Sequence, residues 1–553
     1  MNKTKMSLGL AAVGLTLSGC FFNDNTNVVV PTVPDVLAFL GGGGGGAETF
    51  NNPVTERKYG VLKVGMDTSA GTLKLGITDS TFPFIWIANS GEGTISKLDV
   101  TTGKELGRYR TGPGNGNPSR TTVDQDGNVW VGNRNNNTIT KVGLKEFGQC
   151  IDRNGNGVID SSTPVQANAE TETAFNPDIK DWTGAFGDGL GITNAADECI
   201  LLHVALIGNE AEDPTPAVVI STPTDIRTVA IDPDNNVFVG GYYQNSLFKV
   251  NGTTGAVIKS MATLQPHYGG VVDKNGNLWS MSSGSGKVQK IDKEMTTNTL
   301  IDVGHNGYGI GIDKFGKIWS TELNGGRFSA FDPADPAGTL KVFTQTGYSR
   351  SQGITTDDNG DVFIAGSLYS NHVGHYKQVF TEGAFTGVTF VANYIVGTGP
   401  TGVAVDGFGN VWSANEVTSN ATRIKLAADP VNAVIDTFAV GSRPYNYSDM
   451  TGRVVRTITN RQGTWEATFD GGKPDYVWQR VLWKLKQALP AGTTVSAYAK
   501  SANSEIELGA KDYTEVLNDT NMAGIKGRFL KLKVRLTSAT PDKTPEITEI
   551  SLK

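Results

Sequence analysis

The sequence has few of the residues that build metal-dependent and nucleophilic active sites. Its 553 residues include 3 cysteines and 5 histidines, and these form no set with the spacing of a zinc site. Neither Gly-x-Ser-x-Gly nor His-Glu-x-x-His occurs, which argues against a nucleophile-elbow hydrolase and a zinc protease. The sequence also lacks a dense lysine and arginine block, and its formal net charge is -7. Nucleic acid is therefore not an expected partner.

The apolar run near the amino terminus, residues 6–17, is too short to remain in a bilayer as a spanning helix. It follows Lys3 and Lys5 and leads directly into Leu17-Ser18-Gly19-Cys20. These four residues resemble the bacterial lipobox, which implies a lipoprotein signal peptide over residues 1–19 and a lipid on Cys20. Phe21 follows Cys20, so the resemblance implies anchoring in the outer membrane, facing either the periplasm or the medium.

Residues 20–58 are polar or rich in glycine, with six consecutive glycines from Gly41 to Gly46. This composition predicts a flexible tether behind the lipid. With Cys20 assigned to lipid, Cys150 and Cys199 remain, and we expect them to form a disulfide in an oxidising compartment.

Glycine and proline are abundant in this sequence, whereas cysteine and histidine are scarce. The sequence contains 69 glycines and 22 prolines, and 38% of its residues are hydrophobic. Glycine and proline at this frequency favour many short strands and tight turns over long helices. The length also exceeds that of one ordinary core. We therefore expect an all-β protein with more than one domain.

One pattern recurs along the chain: an aspartate, a turn rich in glycine or asparagine, and a strand led by an aromatic residue. An apolar strand precedes each aspartate, so each copy predicts a β-hairpin. The copies begin at Asp124, Asp232, Asp273, Asp313, Asp357 and Asp406, and Trp86 marks a degenerate seventh copy. Successive aromatic positions lie 40 to 49 residues apart, except for one gap of 108 residues. This spacing predicts a seven-bladed β-propeller over residues 59–445.

The repeat, as in "GIGIDKFGKIW", resembles the repeats of streptogramin lyases (virginiamycin B lyases) and of NHL-type propellers. We expect its aspartate to close its own turn by accepting backbone N–H bonds. We expect its aromatic residue to fill the wedge between neighbouring blades.

The long gap holds an insert, residues 145–200, between a third strand "TITKVGL" and a fourth strand "ILLHVALIG" of the second blade. Cys150 and Cys199 stand at its two ends. A disulfide there would pin the base of the insert and contribute about 4 kcal/mol on the loop-entropy model.

Directly after Cys150, "DRNGNGVIDSST" follows the pattern of an EF-hand loop. The predicted Ca²⁺ ligands are Asp152, Asn154, Asn156, the carbonyl of Val158, and Asp160. Thr163 stands where the bidentate glutamate is expected, so Glu170, Asp197 or Glu198 would have to complete the shell. A plain asparagine-glycine turn is the alternative.

Residues 446–553 lack the repeat and predict a small antiparallel β-sandwich. In "FLKLKVRL" four apolar residues alternate with Lys531, Lys533 and Arg535, as in a half-buried strand. Trp465, Trp478 and Trp483 could stack on a sugar, but core positions are the expected reading.

The loops that lead into each first strand and those that join second to third strands share one face, where we expect the functional site. The candidate ligand-binding residues there are Tyr242, Tyr243, His267, Tyr268, Arg350, Gln352, Asn415 and Glu416. The streptogramin lyase resemblance implies a histidine base, a glutamate and Mg²⁺ on this face, which open a lactone by elimination. Glu322 matches the glutamate, whereas Tyr308 stands at the histidine position, so His305 would have to act as the base.

We therefore expect a lipid-anchored envelope protein that binds a small ligand, a polysaccharide or another envelope protein. A lyase of the streptogramin type is the alternative.

Overall fold

The computed structural model describes residues 37–40, 50, 59, 61–64, 66–75, 82–165, 176–182, 197–208, 220–367, 369–455, 461–509, 511, 513–538 and 543–552. The predicted signal peptide, Cys20, most of the predicted tether and Glu170 lie outside these residues. No helix among the described residues is long and apolar enough to cross a bilayer. The described helices are short: Lys145–Phe147, Pro336–Thr339, Pro430–Asn432 and Glu505–Gly509.

Seven antiparallel sheets follow one another along the chain as the blades of a propeller, which confirms the predicted fold class. Blade 1 consists of Phe84–Asn89, Thr94–Asp99 and Glu105–Arg110. Blade 2 consists of Pro118–Val123, Val129–Asn133, Thr138–Val142 and Ile200–Ala205. Blade 3 consists of Ile226–Ile231, Val237–Gly241, Ser246–Val250 and Val257–Ala262. Blade 4 consists of Gly269–Val272, Leu278–Met281, Lys287–Ile291 and Asn298–Asp302. Blade 5 consists of Gly307–Ile312, Ile318–Glu322, Arg327–Phe331 and Lys341–Thr344. Blade 6 consists of Ile354–Thr356, Val362–Ala365, His372–Thr381 and Ala384–Ile395. Blade 7 consists of Pro400–Val405, Val411–Asn415, Asn420–Lys425 and Val434–Ala439.

Blade 1 lacks an innermost strand from its own stretch of sequence, and residues 444–450 take that place. The Trp86 amide donates to the Met450 carbonyl at 2.9 Å, and the Tyr445 amide donates to the Ala88 carbonyl at 3.1 Å. Pro444 forms a β-bridge with Asn89. The chain after blade 7 therefore closes the ring against blade 1, and the propeller extends past the predicted end at residue 445.

The aromatic residue of each repeat lies between its own blade and the next. Trp319, for example, packs with Ile354, Val362 and Ile364 of blade 6. Trp412 of blade 7 packs with Ile85, so the last wedge closes on blade 1. The other five wedges contain Trp86, Trp130, Phe238, Trp279 and Phe363. Burying seven large rings between blades confirms the expected structural role of this position.

The repeated aspartates close their turns as expected. Asp313 accepts the backbone N–H groups of Phe315 and Lys317, each at 2.9 Å, and its other oxygen accepts the Trp319 indole N–H at 3.0 Å. The same indole bond joins Trp279 to Asp273 and Trp412 to Asp406. Each of these aspartates thus fixes both the turn and the ring that separates the blades.

The insert leaves blade 2 after Thr138–Val142 and returns as its fourth strand, Ile200–Ala205, as predicted. Cys150 and Cys199 form the predicted disulfide. Thr163–Val165 pairs with Asn176–Asp178 within the insert.

A two-layer sandwich follows the propeller, and it takes strands from both ends of the chain. One sheet has the order Leu62–Val64, Arg461–Asp470, Phe529–Ser538, Thr493–Ala502 and Thr514–Val516. The other has the order Met66–Asp67, Leu73–Leu75, Glu546–Leu552, Arg480–Leu485 and Thr520–Asn521, with Leu37–Leu40 also paired to Glu546–Leu552. Trp465 and Trp478 are buried in the core between the sheets, and Trp483 packs against it.

This pairing corrects two predicted boundaries. Leu62–Val64 pairs with Arg461–Asp470, so the segment after residue 59 belongs to the sandwich and the propeller begins near residue 82. Leu37–Leu40 pairs with Glu546–Leu552, and Phe50 packs on Trp465 at a ring distance of 6.0 Å, so these residues of the predicted tether belong to the sandwich. These segments cover sheet edges that would otherwise be open.

The basic face of Phe529–Ser538 is turned toward the propeller. Arg535 donates to Gln125 of the blade 2 turn at 3.3 Å. Lys531 and Lys533 pair with Glu466 beside a cavity of about 70 Å³ that Asp126 and Gln149 also line. The sandwich therefore lies on the face opposite the candidate site.

Candidate functional site

The face that carries the loops into each first strand and the loops between second and third strands is called the mouth. A cluster of four tyrosines closes the central channel there: Tyr268, Tyr308, Tyr445 and Tyr447. The Tyr308 hydroxyl lies 2.5 Å from that of Tyr268 and 2.9 Å from that of Tyr445. The Tyr445 hydroxyl is also 3.2 Å from that of Tyr268 and 3.3 Å from that of Tyr447. The four phenols thus form one hydrogen-bonded group, called the tyrosine cluster below.

Three arginines surround the tyrosine cluster. The Arg120 guanidinium carbon lies 3.2 Å from the centre of the Tyr447 ring, and Arg120 donates to the Tyr268 carbonyl at 2.8 Å. Arg134 and Arg227 lie 5.0 and 5.6 Å from the centre of the Tyr445 ring. Cations above aromatic faces are attracted by the ring quadrupole, and more so when desolvated.

The charges around Tyr445 set its acidity. Burial acts to raise the pKa of Tyr445, but the nearby positive charges of Arg120 and Arg227 outweigh it, so its pKa lies below that of an ordinary tyrosine. Burial and the neighbouring phenols raise the pKa of Tyr308 well above its ordinary value. Tyr308 therefore remains a neutral phenol at physiological pH and is a poor base.

Of the predicted binding residues, Tyr242, Tyr243, Tyr268, Arg350 and Gln352 lie at the mouth. Gln352 donates to the Tyr308 hydroxyl at 3.4 Å. Tyr243 is 68% exposed and contacts Tyr242 at a ring distance of 4.7 Å. Arg350 stacks at 5.0 Å on Tyr369, which is 82% exposed and lies in the corresponding loop of blade 6. The mouth therefore has a buried centre and an exposed aromatic rim.

Three other predicted binding residues lie inside the blades or in local ion pairs. His267 is buried in blade 4, where its two ring nitrogens lie 2.9 Å from Ser280 Oγ and 3.0 Å from Thr263 Oγ1. Asn415 donates to Asn420 and Thr422 of its own blade. Glu416 pairs with Arg443 at 2.6 Å.

Glu322 occupies a repeated structural position. It stands three residues after Trp319, as Asn89, Asn133 and Asn415 stand three residues after their own tryptophans. Each asparagine donates to the residue five positions further on, for example Asn133 to Thr138 at 3.0 Å. Glu322 is 1% exposed and accepts from Arg327, also five positions on, at 2.7 and 2.8 Å. Burial acts to raise the pKa of Glu322, but Arg327 lowers it below its ordinary value.

His305 points into blade 5. Its Nε2 lies 3.1 Å from both Ser320 Oγ and Ser329 Oγ, which belong to the second and third strands. Burial lowers the pKa of His305. His305, Glu322 and Tyr308 are thus each held by local partners, and the structure records no hydrogen bond among the three within the described residues.

Sequence reasoning missed Arg120, Arg134, Arg227, Tyr445 and Tyr447. A signal for Arg227 was present, because Arg227, Tyr268, Tyr308 and Gln352 each stand five residues before the turn aspartate of their blades. Tyr445 and Tyr447 lie on the segment of residues 444–450 that pairs with blade 1, and this segment carries no repeat. Arg120 lies at a break in strand register and stands four residues, instead of five, before the turn aspartate of its blade, Asp124.

Comparisons with known proteins add the following. No family and no curated protein matches this sequence. Among solved structures, the virginiamycin B lyase of Staphylococcus aureus matches at 14% identity and a TM-score of 0.39, covering 60% of this chain and 89% of that chain. A putative 6-phosphogluconolactonase of Bacteroides fragilis matches at 12% identity and a TM-score of 0.44, covering 66% and 96%. Hydrazine synthase of Kuenenia stuttgartiensis matches at 11% identity and a TM-score of 0.40, covering 63% and 92%.

Similarity at this level carries no information about activity. The propeller assignment rests on the strand pairing and the seven aromatic wedges of this chain.

The insert brings the predicted calcium ligands together. Asp152 accepts the N–H groups of Gly155 and Gly157 at 2.7 and 2.8 Å. Asn154 and Asn156 both donate their side-chain amides to Asp160 Oδ2, at 2.8 and 3.0 Å. Among the described residues, no group of three or more His, Cys, Asp or Glu side chains is placed to hold a metal ion. The predicted ligand set would not form such a group, because two of its members are amides and one is a carbonyl.

Two of the three carboxylates predicted to complete the shell, Asp197 and Glu198, accept backbone N–H groups, and Glu170 lies outside the described residues. Glu198 accepts the N–H groups of Arg153 and Asp160, each at 2.8 Å. Asp197 accepts those of Ser162 and Cys199 at 2.8 and 2.9 Å. Both residues therefore brace the loop from its base beside the disulfide.

Proposed function

We propose that this chain is a lipid-anchored envelope protein whose propeller binds a ligand at the mouth. The observation that carries the proposal is the exposed rim of Tyr243 and Tyr369 around a sealed, arginine-flanked tyrosine cluster. Exposed aromatic rings supply contact area at a low cost in conformational entropy, which suits recognition. Among the described residues, the sandwich contacts the opposite face of the propeller and not the mouth.

The local geometry supports binding over catalysis. A lyase needs a base within hydrogen-bond reach of the proton that it removes, and a cation to stabilise the developing enolate. Glu322 is held by Arg327 through both oxygens, and His305 is held between two serines. None of these contacts converges on a common open position.

The binding proposal is tested with the full lipidated chain as bait in envelope extract. We expect Tyr243→Ala and Tyr369→Ala to reduce the captured material. Phe408→Ala is the matched control, because Phe408 is 67% exposed in a turn on the opposite face. Equal capture by all three variants and the wild type would contradict the proposal.

The lyase alternative has a direct assay. We expect the purified protein with Mg²⁺ to leave a cyclic depsipeptide lactone intact. Ring opening that depends on Mg²⁺ and disappears in Glu322→Gln or His305→Ala would replace the binding proposal with the lyase.

Lipid anchoring rests on the Leu-Ser-Gly-Cys pattern. Labelled palmitate fed to cells is expected to enter the wild type but not Cys20→Ala. Equal incorporation into both proteins would exclude the anchor at this residue.

Calcium bracing of the insert is the third part of the proposal. Asn154 and Asn156 already direct their side chains at Asp160, and rotating each amide would present its oxygen in place of its nitrogen. Oxygen ligands at this spacing suit Ca²⁺ better than smaller cations. A bound ion would add stability at the disulfide end of the insert, remote from the mouth.

A further inference from the structure

Among the residues that the structure describes, positive charge is in excess at the centre of the mouth. Asp225 pairs with Arg227 at 3.0 Å. Within the part of the chain that the structure describes, neither Arg120 nor Arg134 forms an ion pair with a carboxylate. Two arginines at other mouth loops are neutralised, Arg443 by Glu416 and Arg327 by Glu322. Arg350, which stacks on Tyr369, forms no ion pair within the described residues, so the positive charge of the tyrosine cluster extends to this part of the rim.

Several guanidinium nitrogens there lack an acceptor. Arg120 is 1% exposed, and its Nε has no hydrogen-bond partner. Arg134 donates from Nε and Nη2 to Asn117, which leaves Nη1 without an acceptor among the described residues. Arg227 donates from Nε to Asp225 and from Nη1 to the Tyr268 hydroxyl, which leaves its Nη2 without an acceptor among the described residues. Of these nitrogens only Arg120 Nε is buried without an acceptor, whereas Arg134 Nη1 and Arg227 Nη2 belong to partly exposed residues that a ligand can reach. An oxyanion there would accept charge-assisted hydrogen bonds, which are stronger than neutral ones.

A path of aromatic rings leads from the surface to these donors. Exposed Tyr243 contacts Tyr242 at 4.7 Å, and Tyr242 contacts Tyr268 at 5.0 Å. The Arg227 guanidinium lies 5.9 Å from the Tyr242 ring and, like Arg134, is only half-buried. A ring-shaped group that stacks on Tyr242 and Tyr243 would bring a charged substituent to Arg227.

We propose that the mouth binds an acidic glycan, whose oxyanion is held between Arg134 and Arg227 while a sugar ring stacks on Tyr242 and Tyr243. The guanidinium fork matches carboxylate and other oxyanions through paired hydrogen bonds. The stacking surface favours a sugar over a bare ion, because an inorganic anion uses only the guanidinium groups. This inference specifies the ligand of the binding function proposed above and rests on it.

The test measures binding of defined glycans to the full-length protein by calorimetry. The probes are a carboxylated oligogalacturonate, a sulfated heparin oligosaccharide and a neutral oligosaccharide of equal length. We expect one of the acidic probes to bind, which identifies the oxyanion, and the neutral probe not to bind. Arg134→Gln and Arg227→Gln are each expected to weaken binding about tenfold or more, since each loses a charge-assisted hydrogen bond.

Arg480→Gln is the control for net charge, because Arg480 lies in the sandwich and pairs with Asp519. It is expected to bind as the wild type does. Arg134→Lys retains the charge and is expected to bind more tightly than Arg134→Gln, which separates lost charge from lost folding. Equal binding of neutral and acidic probes, or unchanged binding in Arg134→Gln, would overturn the inference. Equal binding of polyglutamate would overturn the sugar component.

The two proposals can fail separately. If the acidic probes do not bind while Tyr243→Ala still loses captured envelope material, the glycan inference falls and mouth binding stands. If acidic probes bind and Arg134→Gln has no effect, the anion is held elsewhere and this inference also falls.

Discussion

At the scale of single residues, a polar side chain three residues after the blade aromatic joins the second strand to the third in blades 1, 2, 5 and 7. In blade 2 it is Asn133 bonded to Thr138, and in blade 5 it is Glu322 bonded to Arg327. The two pairs solve the same local problem, because a buried polar group at this point requires a partner from the adjacent strand. Glu322 is thereby explained without a catalytic role.

This equivalence predicts how substitutions combine. Arg327→Ala is expected to lower the Tm, because it leaves a buried carboxylate without its guanidinium. The double variant Glu322→Asn with Arg327→Thr reproduces the pair of blade 2 and is expected to recover most of that loss. Thermal unfolding measures both. A double variant no more stable than Arg327→Ala would contradict the shared role.

The buried histidine of blade 4 predicts a dependence of stability on pH. Burial lowers the pKa of His267 to about 3, whereas a histidine in an unfolded chain has a pKa of about 6.5. Between these values the unfolded chain binds one more proton than the folded chain. The contribution of His267 to stability is therefore present above pH about 6.5 and is lost as the pH falls toward 3.

We accordingly expect the Tm of His267→Gln to fall less than that of the wild type when the pH is lowered from neutral to about 5. Ser280→Ala removes one partner of the imidazole but keeps it buried. It is expected to lower the Tm at every pH without changing the slope. Parallel Tm curves for His267→Gln and the wild type would exclude this role of His267.

Some mouth residues were predictable and others were not, for a physical reason. Tyr268, Tyr308 and Gln352 stand just before an apolar strand with a recognisable repeat, so their face follows from strand alternation. Tyr445 and Tyr447 reach the same centre through ring closure, a contact between the two ends of the propeller that local sequence does not encode. The arginines were missed because their role depends on the tyrosines around them.

At the scale of elements, the insert of blade 2 is held by a disulfide and by a loop whose polar side chains converge. We expect chelator to lower the Tm of the wild type and Ca²⁺ to restore it more than Mg²⁺ does, because an ion that binds the folded state alone raises stability by mass action. Asp152→Ala is expected to lose this response. Differential scanning calorimetry at controlled free calcium measures it.

Asp99→Ala is the matched control, because Asp99 also closes a turn by accepting backbone N–H groups, those of Thr101 and Thr102. It is expected to retain the calcium response. A wild type that melts identically with chelator and with Ca²⁺ would show that the loop is a plain turn.

Elements with a repeat were the easiest to predict. The hairpins around each turn aspartate and the fourth strand after the insert follow from hydrophobic alternation and spacing. The strands Leu62–Val64, Met66–Asp67 and Leu73–Leu75 were not recognised, because each has three residues or fewer and no repeat marks it. Leu62–Val64 and Leu73–Leu75 pair with partners at least 400 residues away along the chain, and Met66–Asp67 joins the sheet through Leu73–Leu75.

At the scale of the whole molecule, the sandwich is built from both ends of the chain with the propeller between them. A chain that starts at residue 82 is expected to lose the cooperative unfolding of the sandwich, because the edges of Arg461–Asp470 and Glu546–Leu552 lose their partners. The propeller, which closes on itself through residues 444–450, is expected to unfold as before. A chain that starts at residue 37 keeps these strands and is the control. Identical calorimetric profiles for both chains would contradict the shared sandwich.

The placement of the two domains also makes the two faces of the propeller different. The sandwich contacts the propeller at Gln125 and Asp126, on the face opposite the tyrosine cluster. A chain tethered at its amino terminus would thus be held through the sandwich side and present the mouth outward. This arrangement agrees with a binding role for the mouth. The insert lies beside the face that the sandwich contacts.

The most direct test of the central claim is hydrogen–deuterium exchange of the full-length protein with and without its captured envelope ligand. We expect protection in the loops around Tyr243 and Tyr369 and in the segment of residues 444–450, with no change in the turns at Asp273 and Asp406 on the opposite face. Protection confined to the sandwich strands or to those opposite turns, with unchanged exchange at the mouth, would contradict the account.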